Sequence, residues 1–258
     1  MSLYLIVYVF GSLIGSFLNV CIYRMPRGLS IISPSSRCPF CSMPVKPWDN
    51  IPIVSYLMLR GKCRNCREKI SARYPLVEAL NAFLYVAVFW RFGMNWDFLI
   101  YAALVSALIV ITFIDLDFQI IPDIITVSGI PLALFAGSFL LPDPFMRADK
   151  LGYTASLIGF LAGGGFFYLI AVLSRGGMGG GDIKLMAMIG GLMGWKSVLL
   201  TTFAGSLSGS IIGIFLMLFK GKGRKTKIPF GPFLAFGTLI SLFFGQEILL
   251  WYLYSHNR

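Results

Sequence analysis

Two acidic clusters stand against otherwise apolar sequence, and they carry most of the chain's chemical potential. One is Asp182, which ends the run Arg175-Gly176-Gly177-Met178-Gly179-Gly180-Gly181-Asp182-Ile183-Lys184. The other lies in Phe113-Ile114-Asp115-Leu116-Asp117-Phe118-Gln119-Ile120-Ile121-Pro122-Asp123. A charged side chain at membrane depth costs at least about 2.5–3.5 kcal/mol on insertion scales, so an acid kept there marks a working site. The glycines deny the backbone a stable helix and let another segment come close. Two neighbouring carboxylates cannot both ionise cheaply; one keeps a proton while the other stays charged. The charged one can draw a proton from water while the protonated one hydrogen-bonds a carbonyl. That is peptide hydrolysis without a covalent intermediate. Asp115 and Asp182 are the expected pair, with Gly179, Gly181 and Lys184 in the loop around the second.

Other readings of these acids stay open at this level. Proton- or ion-coupled transport also uses intramembrane acids. Asp117 and Asp123 can sit in headgroup water or cap helices, and Asp123, after Pro122, can start the next span. Asp115 is disfavoured as a cap because the end of a helix is negative. Asp182 can pair with Lys184 or Arg175. His256 is the single histidine, near the C-terminus on the expected far side, which disfavours a Ser-His or Cys-His nucleophile. The glycine run fits neither phosphate-binding glycine motif.

The cysteines suggest a second centre. Cys38-Pro39-Phe40-Cys41 is followed, after 21 residues, by Cys63-Arg64-Asn65-Cys66. Two C-x-x-C turns at this separation suit a tetrahedral four-thiolate zinc site, because each turn presents two sulfurs on one side of a tight knuckle. The spacer slightly exceeds the usual ~15–20 residues. Pairing of this kind points to metal in a reducing compartment rather than to disulfides. The fifth, Cys21, falls in an apolar span and reads as a buried thiol.

These groups need a scaffold, and composition says which. The 258 residues are 57% hydrophobic and 13% charged, with a mean hydropathy of +0.79. Soluble domains carry about 25% charged residues, so an all-α polytopic membrane protein is expected. The first basic residue, Arg24, follows the first apolar run, so a cleaved signal peptide is not expected. Eight spans are read: Leu3–Ile22, Pro75–Trp90, Phe98–Ile114, Ile124–Leu141, Leu151–Leu173, a short Ile183–Gly194, Val198–Phe219 and Ile228–Tyr254. In the first, Gly11 and Gly15 form a small-x-x-x-small packing face. Asn19 beside them needs a hydrogen-bond partner. Residues 24–74 are a polar insert holding ten Lys/Arg (24, 27, 37, 46, 60, 62, 64, 67, 69 and 73). A metal is what so small a module needs in order to fold.

The net charge of +11 reflects loop topology rather than nucleic-acid binding. Placing the N-terminus outside leaves seventeen Lys/Arg in cytoplasmic segments, those ten with Arg175, Lys184, Lys220, Lys222, Arg224, Lys225 and Lys227. Five lie opposite: Arg91, Arg147, Lys150, Lys196 and Arg258. This bias supports the orientation and brings both acidic clusters to cytoplasmic ends of spans.

The ordered motifs also resemble a known family, the bacterial prepilin peptidases, which are G-x-G-D aspartic proteases. The match includes Gly15-Ser16-Phe17-Leu18-Asn19-Val20, Tyr23-Arg24-Met25-Pro26, both C-x-x-C pairs, Asp49-Asn50-Ile51-Pro52 and Arg73-Tyr74-Pro75-Leu76-Val77-Glu78. It continues through Ile114-Asp115 to Pro122-Asp123, Gly179-Gly180-Gly181-Asp182-Ile183-Lys184-Leu185 and Pro229-Phe230-Gly231-Pro232-Phe233-Leu234-Ala235. The resemblance implies that Asp115 and Asp182 are catalytic. It implies cleavage of type IV prepilins or type II secretion pseudopilins after the glycine ending a basic leader, at the cytoplasmic face of the bacterial inner membrane. It implies N-methylation of the new N-terminal residue from S-adenosylmethionine, an activity associated with the cysteine insert. The expected organisation is therefore a first helix (1–23), a methyltransferase-associated zinc insert (24–74) and a transmembrane peptidase domain (75–258). No motif marks a site for S-adenosylmethionine. Asn19 and Glu78 are candidates as polar residues at span edges near the insert. A peptidase with a purely structural zinc insert is the alternative.

Overall fold

The computed structural model of the chain describes residues 2–175, 177–220 and 228–256. Of the residues named above, Gly176, Lys222, Arg224, Lys225, Lys227 and Arg258 lie outside the described residues. The helices are α1 (Ser2–Arg24), α2 (Val54–Met58), α3 (Arg73–Phe92), α4 (Trp96–Phe118), α5 (Asp123–Phe139), α6 (Gly152–Leu173), α7 (Gly180–Lys220) and α8 (Gly231–His256). Among the described residues six are long and apolar enough to cross a membrane; α5 is apolar but shorter. Within α7, Gly194 adopts φ 78° and ψ 172°. The two spans read in the sequence, Ile183–Gly194 and Val198–Phe219, are thus the two helical halves of α7, separated at a non-helical residue that glycine accommodates cheaply. Counting its halves separately and adding α5 gives the eight expected segments. The chain is a multi-pass helical membrane protein.

A short hairpin departs from the all-α expectation. Strands β1 (Pro142–Asp143) and β2 (Met146–Lys150) pair antiparallel between α5 and α6, with Pro142 opposite Lys150. The segment is too short for alternation to register in the sequence.

The chain divides into two compact units, Met1–Val110 and Ile111–Arg258, and α4 runs from one into the other. The first unit is built on α1 against α3. An added Cβ at Gly11 would stand 2.8 Å from the Ala82 Cα, and one at Gly15 2.7 Å from the Glu78 Cα. Lipid gives helices no hydrophobic reason to associate, so close backbone contact and buried hydrogen bonds replace it. Those bonds run along the same seam. Asn81 Nδ2 donates to the Gly11 carbonyl at 2.7 Å, and Ser106 Oγ donates to Asn81 Oδ1 at 2.9 Å. Asn19 Nδ2 donates to the Tyr74 carbonyl at 3.1 Å, so this amide has its partner in the helix pair itself. Gly11→Ala is expected to wedge α1 from α3 and cost roughly 1–3 kcal/mol, which lowers the unfolding temperature in detergent by about 3–10 °C.

In the second unit α5, α6 and α8 gather on α7. A Cβ at Gly159 or Gly163 would collide with the Gly190 or Met186 carbonyl, and one at Gly137 with the Gly191 carbonyl. Ser156 Oγ donates to that Gly191 oxygen at 2.6 Å. Gly237 on α8 faces the Thr201 carbonyl in the same way. Beyond the kink Lys196 pairs with Asp143 of the hairpin at 2.9 Å, and Arg147 with Glu247 at 3.7 Å.

Candidate active site and metal centre

Asp115 sits in the last turn of α4 and is 5% exposed. A carboxylate at a helix C-terminus faces the negative end of the dipole, so something else must stabilise it. That partner is the start of α8: the Gly231 N–H donates to Asp115 Oδ2 at 2.8 Å. The positive end of one helix thereby meets the acid at the negative end of another. A Cβ at position 231 would lie 2.7 Å from the same oxygen, so any larger residue must push the carboxyl aside. The stretch Pro229-Phe230-Gly231-Pro232 gives Gly231 no role on sequence alone. The signal for it is Pro232, the second residue of α8, since proline is favoured in the first turn of a helix.

Asp182 lies in the first turn of α7, and its N–H donates to the Gly179 carbonyl at 3.2 Å. Gly181 packs on Ile121, six residues after Asp115, so the two acids, 67 positions apart, lie at one end of this unit. The glycines before Asp182 earn separate explanations. A Cβ at Gly181 would stand 2.7 Å from the Ile121 Cβ, so glycine lets α7 begin against the segment joining α4 to α5. A Cβ at Gly179 would touch Asp182 Oδ2 at 3.3 Å, whereas Gly180 faces open space.

Lys184 does not pair with Asp182. Its Nζ lies 2.8 Å from both carboxylate oxygens of Asp123 and clips α7 to α5. Lys184 stands two residues from Asp182, where side chains on a helix do not face each other, and only the fold reveals that Asp123 faces the same corner as Lys184. Asp123 does begin α5 behind Pro122, as expected. Asp117 is exposed.

The first unit holds the four cysteines, and every pair of their sulfurs lies within 4.8 Å. Cys38 and Cys66 Sγ are 3.8 Å apart. A tetrahedron with arms of about 2.3 Å has edges of about 3.8 Å, so the cluster fits a zinc-sized ion. The two knuckles repeat one design. The N–H of the first cysteine donates to a carbonyl five residues on, Cys38 to Met43 (3.0 Å) and Cys63 to Glu68 (2.8 Å). The residue four on closes the turn with positive φ, Ser42 at 57° and Arg67 at 62°. Arg64 between the second pair binds Asp49 Oδ1 at 2.6 Å and fixes this knuckle to the short helical turn Pro47–Asn50.

Charge in the cluster is uneven. The Met43 backbone N–H draws the Cys41 thiol down to about 6. The Cys66 and Asn65 backbone N–H groups lower Cys63. At Cys66 the Glu68 N–H pulls downward, but loss of water and the three other sulfurs outweigh it and push the thiol up to about 12. Four thiolates this close repel one another, and a bound dication removes that repulsion.

Comparison with known proteins shows the family. Residues 9–92 match the family described as bacterial peptidase A24 N-terminal domain, and residues 102–214 match the type IV leader peptidase family. A prepilin leader peptidase/N-methyltransferase of Pseudomonas aeruginosa is 37% identical over 267 residues, covering 94% of this chain and 91% of that one. Proteins of the same name are 36% identical in Bacillus subtilis, covering 96% and 97% of the two chains, and 36% identical in Aeromonas hydrophila, covering 96% and 93%. No solved structure matches the chain. With family matches over residues 9–92 and 102–214 and relatives 36–37% identical along nearly its whole length, the chain belongs to the type IV leader peptidase family and is an enzyme of the protease class.

Proposed function

We propose that this chain is an aspartic endopeptidase of the bacterial inner membrane that cleaves type IV prepilins or type II secretion pseudopilins. It cuts after the glycine that ends the basic leader, at the cytoplasmic face. It then N-methylates the new N-terminal residue, typically phenylalanine, from S-adenosylmethionine. The observation that carries the peptidase half is a buried Asp115 bonded to a helix start, with Asp182 opening α7 against the segment that follows it. The printed name of the relatives supports both halves.

The ionised member of the pair takes a proton from water, and the water oxygen attacks the carbonyl carbon of the leader's last residue. The protonated member hydrogen-bonds the carbonyl oxygen as negative charge develops on it. Collapse breaks the C–N bond, and a proton passed to nitrogen releases the new amine. A leader in the cytoplasm followed by a helix in lipid presents its scissile bond at the depth of these acids. The open backbone of the glycine run suits an extended substrate strand. Cys38, Cys41, Cys63 and Cys66 would hold Zn2+ as a closed structural site, with no position for substrate. S-adenosylmethionine supplies a methyl group on a sulfonium when bound. Of the two polar candidates, Asn19 is engaged by helix carbonyls, which leaves Glu78 to serve a ligand.

Gly231→Ala is expected to displace the Asp115 carboxyl and slow cleavage about 10²-fold with helicity retained, as a misplacement of about 1 Å does. Purified variant and a labelled prepilin peptide measure it. The reading as a whole is tested by co-expression with a prepilin and mass measurement of its N-terminus. Leader loss with one added methyl group supports it. An intact leader overturns it, and a cleaved but unmethylated product reduces it to a peptidase with a structural zinc insert.

A further inference from the structure

Glu78 is a carboxylate within the apolar helix α3 and only 8% exposed. Its Oε2 accepts the Ile53 N–H at 2.7 Å, and Ser16 of α1 lies beside it. No lysine or arginine forms an ion pair with it among the described residues. A carboxylate offers about four acceptor positions, so the Ile53 N–H leaves most of that capacity unused. Burial with so little compensation is costly, and either a proton or a cation must complete the group.

The donor at Ile53 is itself unusual. Ile53 has φ 61° and ψ −52°, and the Val54 N–H closes onto the Pro52 carbonyl at 2.5 Å. This is a γ-turn of the strained, positive-φ kind, on a β-branched residue that disfavours it. Such strain persists only where the surroundings over-determine it, and it collects at ligand clamps. Here it aims one N–H at Glu78. The turn lies in the chain between the two cysteine knuckles. Gly15 and Ser16 of α1 meet Glu78 from the other side. The insert and the α1–α3 wall therefore converge on one carboxylate.

We infer that Glu78 is the receptor for a primary ammonium group brought by a ligand of methyl transfer. The inference rests on the methyltransferase reading given above. Two such ligands carry the group: the newly cut N-terminus and the amino-acid end of S-adenosylmethionine. An ammonium supplies three donors and the missing positive charge, which an alcohol or amide does not. The competing role is a protonated, neutral latch that merely ties the insert to α3. Glutamine imitates that latch, since its carbonyl still accepts the Ile53 N–H, but it cannot hold a cation.

The experiment uses the full chain in detergent, wild type and Glu78→Gln. One arm compares a pre-cleaved pilin peptide with its N-acetylated form; the other compares S-adenosylhomocysteine with its N-acetyl derivative. The wild type is expected to prefer the free amine in at least one arm by about tenfold or more, and Glu78→Gln to erase the preference. The arm that responds identifies the source of the ammonium. No preference in either arm for the wild type, which needs no variant to fold, overturns the inference; so does a preference that a folded Glu78→Gln retains. Label transfer from S-adenosylmethionine in the same preparations judges methyl transfer separately. Amine discrimination without transfer would keep the receptor and remove the methyltransferase reading.

Discussion

Asp182→Asn and Asp115→Asn are each expected to slow leader cleavage by roughly 10³-fold or more, with zinc content and unfolding temperature close to wild type. Positioned proton transfer contributes about 10²–10⁴-fold, and here the same pair supplies both the base and the acid. Asparagine keeps the shape of the side chain, and at position 115 its carbonyl can still accept the Gly231 N–H. What it loses is the charge and the transferable proton. One remaining carboxyl cannot be ionised and protonated in the same turnover. Because the acids act as a unit, the double variant is expected to be little worse than either single one. Initial rates on a labelled prepilin peptide measure all three. Asp117→Asn is the control: the residue is exposed, and its rate should stay within about twofold of wild type. Asp123→Asn breaks an exposed pair with Lys184 and should cost less than about 1 kcal/mol. Full activity in Asp182→Asn would remove the pair from the mechanism and reopen the ion-coupled alternative.

The second large effect belongs to the metal. Cys63→Ser is expected to abolish stoichiometric zinc and unfold the insert, because structural zinc contributes apparent energies of about 10–16 kcal/mol to small modules of this kind. Elemental analysis and limited proteolysis between Arg24 and Arg73 report the two losses. Methyl transfer should fail before cleavage does, since Asp115 and Asp182 both belong to the unit from Ile111 onward. Full methylation by metal-free protein would contradict this. Acid should act in the same direction. Ligation requires thiolates, and a thiol held low favours binding above its ionisation and loses that contribution as pH falls through it. Cys41, drawn down to about 6, loses that contribution as pH falls through this value. Zinc retention is therefore expected to fall as pH drops through about 6, measured by elemental analysis across a pH series.

Much of this was written along the chain. Apolar length forecast the spans, since a bilayer demands about 20 such residues and tolerates no unpaired backbone. The paired C-x-x-C motifs forecast the cluster, because thiolate spacing is fixed within each knuckle. Asp115 and Asp182 stood out because charge is rare and costly where lipid surrounds it. These are local properties, decided by the residue and its immediate neighbours. The folded chain settled what depends on distant partners: Gly231 as the donor to Asp115, Asp123 rather than Asp182 as the partner of Lys184, and the strained Ile53 turn against Glu78. The glycines show the same division. Their abundance is visible in the sequence, but only packing distinguishes Gly181, pressed against Ile121, from Gly180, which faces open space. A hydrogen bond or a close approach between residues dozens of positions apart has no periodicity to betray it; it exists only once the helices have chosen their neighbours.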